Sequence, residues 1–167
     1  CTPQHFRMQD FRVLFGADYF NYAFMLVRNP YARIASEFRM RAAIAGKGFF
    51  RNWPSFSLWL EHHLQLAASS PFVLDNHLRP QWEFTGSGVE VFQLEQGMID
   101  ILARVADRIG VARPEQIGRE ASTDDFPEPV VWDRVDVLRV QEFYARDFAE
   151  FGYDPSVGPD TSSAVLE

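Results

Sequence analysis

The stretch Tyr22-Ala23-Phe24-Met25-Leu26-Val27-Arg28-Asn29-Pro30-Tyr31-Ala32-Arg33-Ile34-Ala35-Ser36 changes character at Arg28. Tyr22 to Val27 is an unbroken apolar run. Its length, Phe and Val predict a strand buried on both faces, as in a parallel sheet. Asn29 is a favourable N-cap, and Pro30 suits the first helical position, where no N–H is needed. Tyr31, Ile34, Ala35, Phe38 and Ala42 then recur at helical spacing on one face, and Gly46 suits the residue after the last turn. Residues 22 to 45 therefore read as strand, tight turn and helix.

Outward from this unit, residues 5 to 16 predict a short helix ending at Gly16. A further helix is expected from Pro54 to Ala68, burying Phe56, Leu60, Leu64 and Ala67 and stopped by Ser69-Ser70-Pro71. Residues 72 to 88 read as irregular and surface-lying. Val89 to Leu94 is a second short strand. Met98, Ile101, Leu102, Val105 and Ile109 trace a helix closed by Gly110. Residues 112 to 132 hold three Pro and predict a long loop. A last helix is expected from Asp133 to Phe151, burying Val137, Val140, Tyr144, Phe148 and Phe151. Two strand–helix units with further helices indicate a helix-rich α/β layered fold. One domain is expected over residues 1 to 154. Residues 155 to 167 read as a disordered Pro/Ser/Thr/Gly-rich tail, whose Leu166-Glu167 resembles a cloning remnant.

Composition narrows the function. The 167 residues carry a formal charge of -7, with 47% hydrophobic and 23% charged residues, as in an ordinary globular domain. No apolar run approaches the ~20 residues of a membrane span. The single cysteine, Cys1, excludes an internal disulfide framework and a cysteine-based zinc site. Cysteine scarcity fits a reducing cytoplasm. The acidic balance argues against a general nucleic-acid binder. Fifteen of the sixteen basic residues are Arg, with Lys47 the exception. Any anion site must therefore be built from guanidinium groups and backbone amides.

Arg28 leaves the carboxyl end of the first strand, where ligands of open α/β sheets bind. The following helix N-terminus offers free N–H groups and the positive end of its dipole. Ser36 lies seven residues after Asn29, almost two turns on. Arg28 and Ser36 can therefore converge on one phosphate. Alternatively Arg28 pairs with a local carboxylate, and Ser36 is a small residue at a helix contact. His62 and His63 are adjacent and do not share a helix face, which disfavours a metal site. His5 has no partner visible in the sequence.

The segment Phe24 to Ser36 closely resembles the 3′-phosphate-binding motif of sulfotransferases, most of all the carbohydrate family that includes the chondroitin and heparan 2-O-type enzymes and bacterial relatives. Three further landmarks follow in that family's order. Asp75-Asn76-His77-Leu78-Arg79-Pro80-Gln81 is similar to its His-x-x-Pro-Gln segment. Val91 to Glu95, with the helix after it, is similar to its strand–Glu–helix element. Tyr144 to Tyr153 is similar to its closing Tyr…Asp-Phe…Phe-Gly-Tyr signature. The resemblance spans about residues 1 to 154. It implies a Rossmann-like three-layer fold of the P-loop nucleotide-binding type, with a central parallel sheet. It also implies 3′-phosphoadenosine 5′-phosphosulfate as donor, a hydroxyl acceptor on a carbohydrate, and no metal. On it, Arg28 and Ser36 hold the 3′-phosphate, and Arg33 either joins that site or pairs with an acid on its own helix. Arg119 and Ser122, in the 112–132 loop, either reach the donor or are solvated. His77 is placed as the base for the acceptor hydroxyl, or is a histidine satisfied by loop backbone. Gln81 orients His77 or an acceptor, or packs the loop. Glu95 is expected to favour a helix dipole, and Tyr144 and Tyr153 to pack. Trp53, Trp59, Trp82 and Arg79 are available to line a glycan cleft, or pack.

One departure stands at the front. The family's Lys-Thr-Gly-Gly-Thr-Ser-like loop, which cradles the 5′-phosphosulfate, does not occur in the sequence. Upstream residues carrying it are therefore expected. The alternative is a non-catalytic nucleotide-binding or interaction module that keeps the fold without the donor loop. A kinase-like P-loop enzyme is disfavoured, because no Gly-x-x-x-x-Gly-Lys-Ser/Thr sequence is present.

Overall fold

The computed structural model describes residues 5–16, 18–46, 53–118 and 130–159. The chain divides into two compact units. One holds residues 1–5, 29–80 and 123–167, and the other holds residues 6–28 and 81–122. The described residues are helix-rich with one two-stranded parallel sheet.

The larger unit is built on α2 (Pro30–Gly46), α3 (Phe56–Ser69), α5 (Arg134–Phe143) and α6 (Ala145–Phe151). Asn29 caps α2 as expected, its Oδ1 accepting the Tyr31 N–H at 3.0 Å. The apolar stripe of α2 is buried at Tyr31, Ile34, Phe38 and Ala42, with Ala35 packed beside it. Ser55 caps α3, which buries Phe56, Trp59, Leu60 and Leu64. The core is an aromatic stack. The Phe38 ring meets Phe56 at 5.3 Å and Trp59 at 5.5 Å, both edge-on, and Trp132 meets Phe56 at 4.6 Å.

Three expectations are corrected in this unit. The last helix is two helices, because the chain breaks at Tyr144 (φ -107, ψ 23). The Tyr144 ring is fully buried and its Oη donates to the Leu78 carbonyl at 2.7 Å, a tertiary tie that outweighs helix continuity. Residues 74–79 are not surface-lying: Leu78 belongs to the core, and Asn76 and Arg79 are buried. The backbone there runs left-handed at Leu74, Asp75 and Asn76 (φ 50, 58 and 70), which costs about 1–2 kcal/mol per residue for side chains larger than glycine. Side-chain bonds from outside the turn hold it. Finally, the start of the expected tail is packed. The Pro155 carbonyl accepts from Tyr31 Oη at 2.8 Å and Gln141 Nε2 at 2.9 Å, and residues 160–167 lie outside the described residues.

The smaller unit holds α1 (Met8–Phe15), β1 (Ala23–Val27), β2 (Val89–Gln93) and α4 (Met98–Ile109). β1 and β2 pair in parallel, from Ala23 opposite Val89 to Val27 opposite Gln93. β1 is not buried on both faces: Val27 is buried, but Phe24 is 39% exposed. Its core is Phe92, Ile101 and Val105 with Tyr22 and Leu26 against them, and Ile109 is exposed. Gly110 ends α4 at φ +73, the left-handed conformation that glycine adopts without a Cβ penalty. Glu95 sits on a separate 3₁₀ turn, Leu94–Gln96, so the acid in the first turn of α4 is Asp100.

Phe38 is 2% exposed, against the rings of Trp53, Phe56 and Trp59, so Phe38→Ala is expected to cost about 3–5 kcal/mol of stability. Urea unfolding of the two proteins, compared at equal m-value, measures it.

Candidate active site

The chemistry of the larger unit gathers on one face of α2. Arg33, Glu37 and Arg41 follow one another at four-residue spacing, so their side chains line up along the helix. Glu37 is 6% exposed. Its Oε1 accepts from Arg41 Nε at 2.7 Å and its Oε2 meets His77 Nδ1 at 2.8 Å. Burial pushes the Glu37 carboxyl up, but the His77 and Arg41 contacts together more than offset it and hold the group below its ordinary value. Glu37 is therefore a carboxylate at neutral pH and can only accept. It follows that the hydrogen on the facing side of the His77 ring sits on Nδ1. Nε2 of the neutral ring is left with its lone pair, the arrangement of a general base oriented by an acid.

Other groups surround this pair. Arg33 Nη2 donates to the His77 carbonyl at 2.7 Å, fixing the backbone that carries the imidazole. The Arg33 guanidinium also lies over the Tyr144 ring, 5.8 Å from its centroid. Its Nη1 is buried with no hydrogen-bond partner among the described residues. Arg33 thus does not pair with an acid on its own helix, because Glu37 is already taken by Arg41. Arg41 reaches on through Nη2 to the Leu74 carbonyl at 3.2 Å. Burial pushes the Tyr144 phenol far up, so it stays protonated and serves as a donor to Leu78, a packing role.

Ser36, one turn from Arg33 on α2, makes no hydrogen bond with a described residue through its hydroxyl. Arg28 belongs to the smaller unit. There the Gln81 amide binds its backbone twice, accepting the Arg28 N–H at 2.8 Å and donating to the Arg28 carbonyl at 2.9 Å. Gln81 holds the residue that follows β1, and the Arg28 guanidinium makes no bond to a described residue. Arg119, Ser122 and Lys47 lie outside the described residues.

Trp59, His63 and Arg79 pack. Trp59 is core, and His63 stacks on it while its Nδ1 lies 2.8 Å from the Trp59 carbonyl. Arg79 is buried, with its guanidinium over Phe72. Among the described residues no group of three or more His, Cys, Asp and Glu is arranged to hold a metal ion. No helix there is long and apolar enough to cross a membrane. Sequence reasoning missed Glu37, although the Arg33–Glu37–Arg41 spacing was the available signal. It also missed His5, whose partner Asp75 is seventy residues away.

The Glu37 carboxyl titrates lower in the native protein than at its ordinary value of 4.5, so the native state binds its proton less readily than the unfolded chain. Its contribution to stability is complete above that value and is lost as pH falls through the lower native one. Urea midpoints measured across the acid range are expected to fall steeply in the unaltered chain and less steeply in Glu37→Gln.

Compared with protein-family models, with curated proteins and with solved structures, the chain matches none.

Proposed function

We propose that the chain is a sulfotransferase of the carbohydrate type, with a Rossmann-like three-layer α/β fold around the parallel pair. The observation that carries the reading is the Glu37–His77 pair, an imidazole whose Nδ1 lies 2.8 Å from a buried carboxylate, and in the neutral ring this supports Nε2 as a base. 3′-Phosphoadenosine 5′-phosphosulfate supplies the sulfuryl group. Transfer of that group makes the same demands as phosphoryl transfer: an aligned acceptor, stabilised anions and little covalent work by the protein.

The donor chemistry fits an anionic nucleotide. Arg28 offers a guanidinium and Ser36 a hydroxyl, neither bound to a described residue, and Arg33 Nη1 is a buried donor with no acceptor among the described residues. A buried unpaired donor of this kind costs free energy that an anion would recover. The likeness of Phe24 to Ser36 to the 3′-phosphate motif assigns that phosphate to Arg28 and Ser36, and Arg33 lies one turn from Ser36 on α2. His77 Nε2 takes the proton of the acceptor hydroxyl as the acceptor oxygen–sulfur bond forms and the bond from sulfur to the 5′-phosphate oxygen breaks, releasing adenosine 3′,5′-bisphosphate. Glu37 balances the positive charge that the ring then carries, and Arg41 keeps Glu37 ionised.

A second reading is supported by the sequence itself, which lacks the Gly-rich Lys-Thr/Ser loop for the 5′-phosphosulfate. In it, the chain is a nucleotide-binding or interaction module without catalysis.

Adenosine 3′,5′-bisphosphate at about a hundred times its Kd is expected to add about 2.7 kcal/mol of stability, read as a raised Tm. Arg28→Ala is expected to remove most of that rise, since a charge-assisted contact is worth about 1.5–3 kcal/mol. An undiminished rise in that variant refutes the phosphate assignment. His77→Ala is expected to keep the rise while sulfuryl transfer to a glycan acceptor falls about a hundredfold or more. Binding without transfer in the unaltered chain favours the module over the enzyme.

A further inference from the structure

We propose that His5 is a positioning residue for His77, holding the plane of the imidazole whose Nε2 serves as base; its catalytic consequence rests on the function proposed above. The two rings meet edge to face, with centroids 4.4 Å apart and planes at 77°. Among the described residues His77 is anchored at one ring nitrogen only, through Nδ1 to Glu37. A ring held at a single atom can still swing about that contact, which sweeps Nε2 through an arc. A second ring standing nearly perpendicular against it removes this freedom.

His5 is itself fixed at two points or more, so it can act as a wall. Its Nδ1 lies 2.9 Å from Asp75 Oδ2, and its backbone carbonyl accepts from Asn76 Nδ2 at 3.0 Å. Asp75 and Asn76 are two of the three left-handed residues immediately before His77. The strained turn therefore delivers His77 to Glu37 and presents to His5 the groups that secure it. Strain of this kind persists only where surrounding bonds over-determine the backbone. Here Arg41 on the Leu74 carbonyl and His5 on Asp75 and Asn76 supply them. Each imidazole thus has its own carboxylate, Glu37 from α2 and Asp75 from the turn. Other charged or titratable groups near the pair include Arg33 and Arg41 of α2, His63 of α3, Arg79 after the turn, and the phenol of Tyr144 with Asp147 beside it. Aiming a base matters because a small misplacement of the reacting atoms costs much of the rate.

The test reads the His77 ring directly, by nitrogen-15 and proton NMR of the whole chain, in the unaltered protein, His5→Ala and His5→Phe. The unaltered protein is expected to show one tautomer with the hydrogen on Nδ1. His5→Ala is expected to give an averaged or broadened His77 ring. His5→Phe, which keeps a ring against His77 without a bond to Asp75, is expected to restore the single tautomer. In transfer assays His5→Ala is expected to lower kcat about tenfold with KM for the donor unchanged, and His5→Phe to recover most of it. A His77 signature unchanged in His5→Ala, or not restored in His5→Phe, overturns the proposal. If His77→Ala transfers sulfuryl groups normally, the base assignment fails, while the NMR comparison still decides whether His5 positions the ring.

Discussion

A carboxylate taken out of water must be matched by positive charge or hydrogen bonds, or it gives up its charge. Glu37 meets this constraint with Arg41 on its own helix and His77 from forty residues away. The match has structural consequences on both sides. Arg41, once turned toward Glu37, also reaches the Leu74 carbonyl and so helps hold the left-handed turn. His77, once drawn to Glu37, brings its own carbonyl within reach of Arg33. One buried charge therefore binds α2 to the segment 74–77 through several bonds. Removing it would leave Arg41, His77 and the turn without their common partner.

The same segment is tied down on its apolar side. Leu78 lies in the aromatic core, and its carbonyl takes the Tyr144 hydroxyl. Ending α5 at Tyr144 is the cost of that bond, since the residue leaves helical backbone to place its ring. A buried phenol without a partner would cost more than the interrupted helix, so the break is the favoured outcome. Backbone, charge and packing thus agree on where His77 stands, and that agreement makes a single orientation of the ring possible.

In the smaller unit a side chain does work that a neighbouring strand would otherwise do. Gln81 is buried, and its amide pairs with the N–H and the carbonyl of Arg28, where the ladder between β1 and β2 has ended at Val27. Both backbone groups of Arg28 are satisfied without occupying its guanidinium. The arrangement fixes the residue while leaving its charge available to a ligand.

Local chemistry was enough to place most elements. Asn29-Pro30 began a helix because an amide side chain can cap free N–H groups and proline needs none. Tyr31, Ile34, Phe38 and Ala42 recurred at a spacing that only a helix turns to one side. Val89 to Gln93 was legible as a strand by the same kind of argument, and so was the end of α4 at Gly110. These features depend on residues three or four positions apart, so neighbours in sequence suffice to encode them. His77 was legible as a candidate base, but its partners were not. Glu37, His5 and the break at Tyr144 depend on contacts spanning forty to seventy residues, and no local pattern distinguishes a buried acid at helix spacing from a solvated one. The burial of residues 74–79 and the docking of Pro155 on Tyr31 were hidden for the same reason. A polar, turn-rich stretch goes to the surface unless the rest of the chain supplies donors and acceptors for it, and only the tertiary structure decides whether they are there.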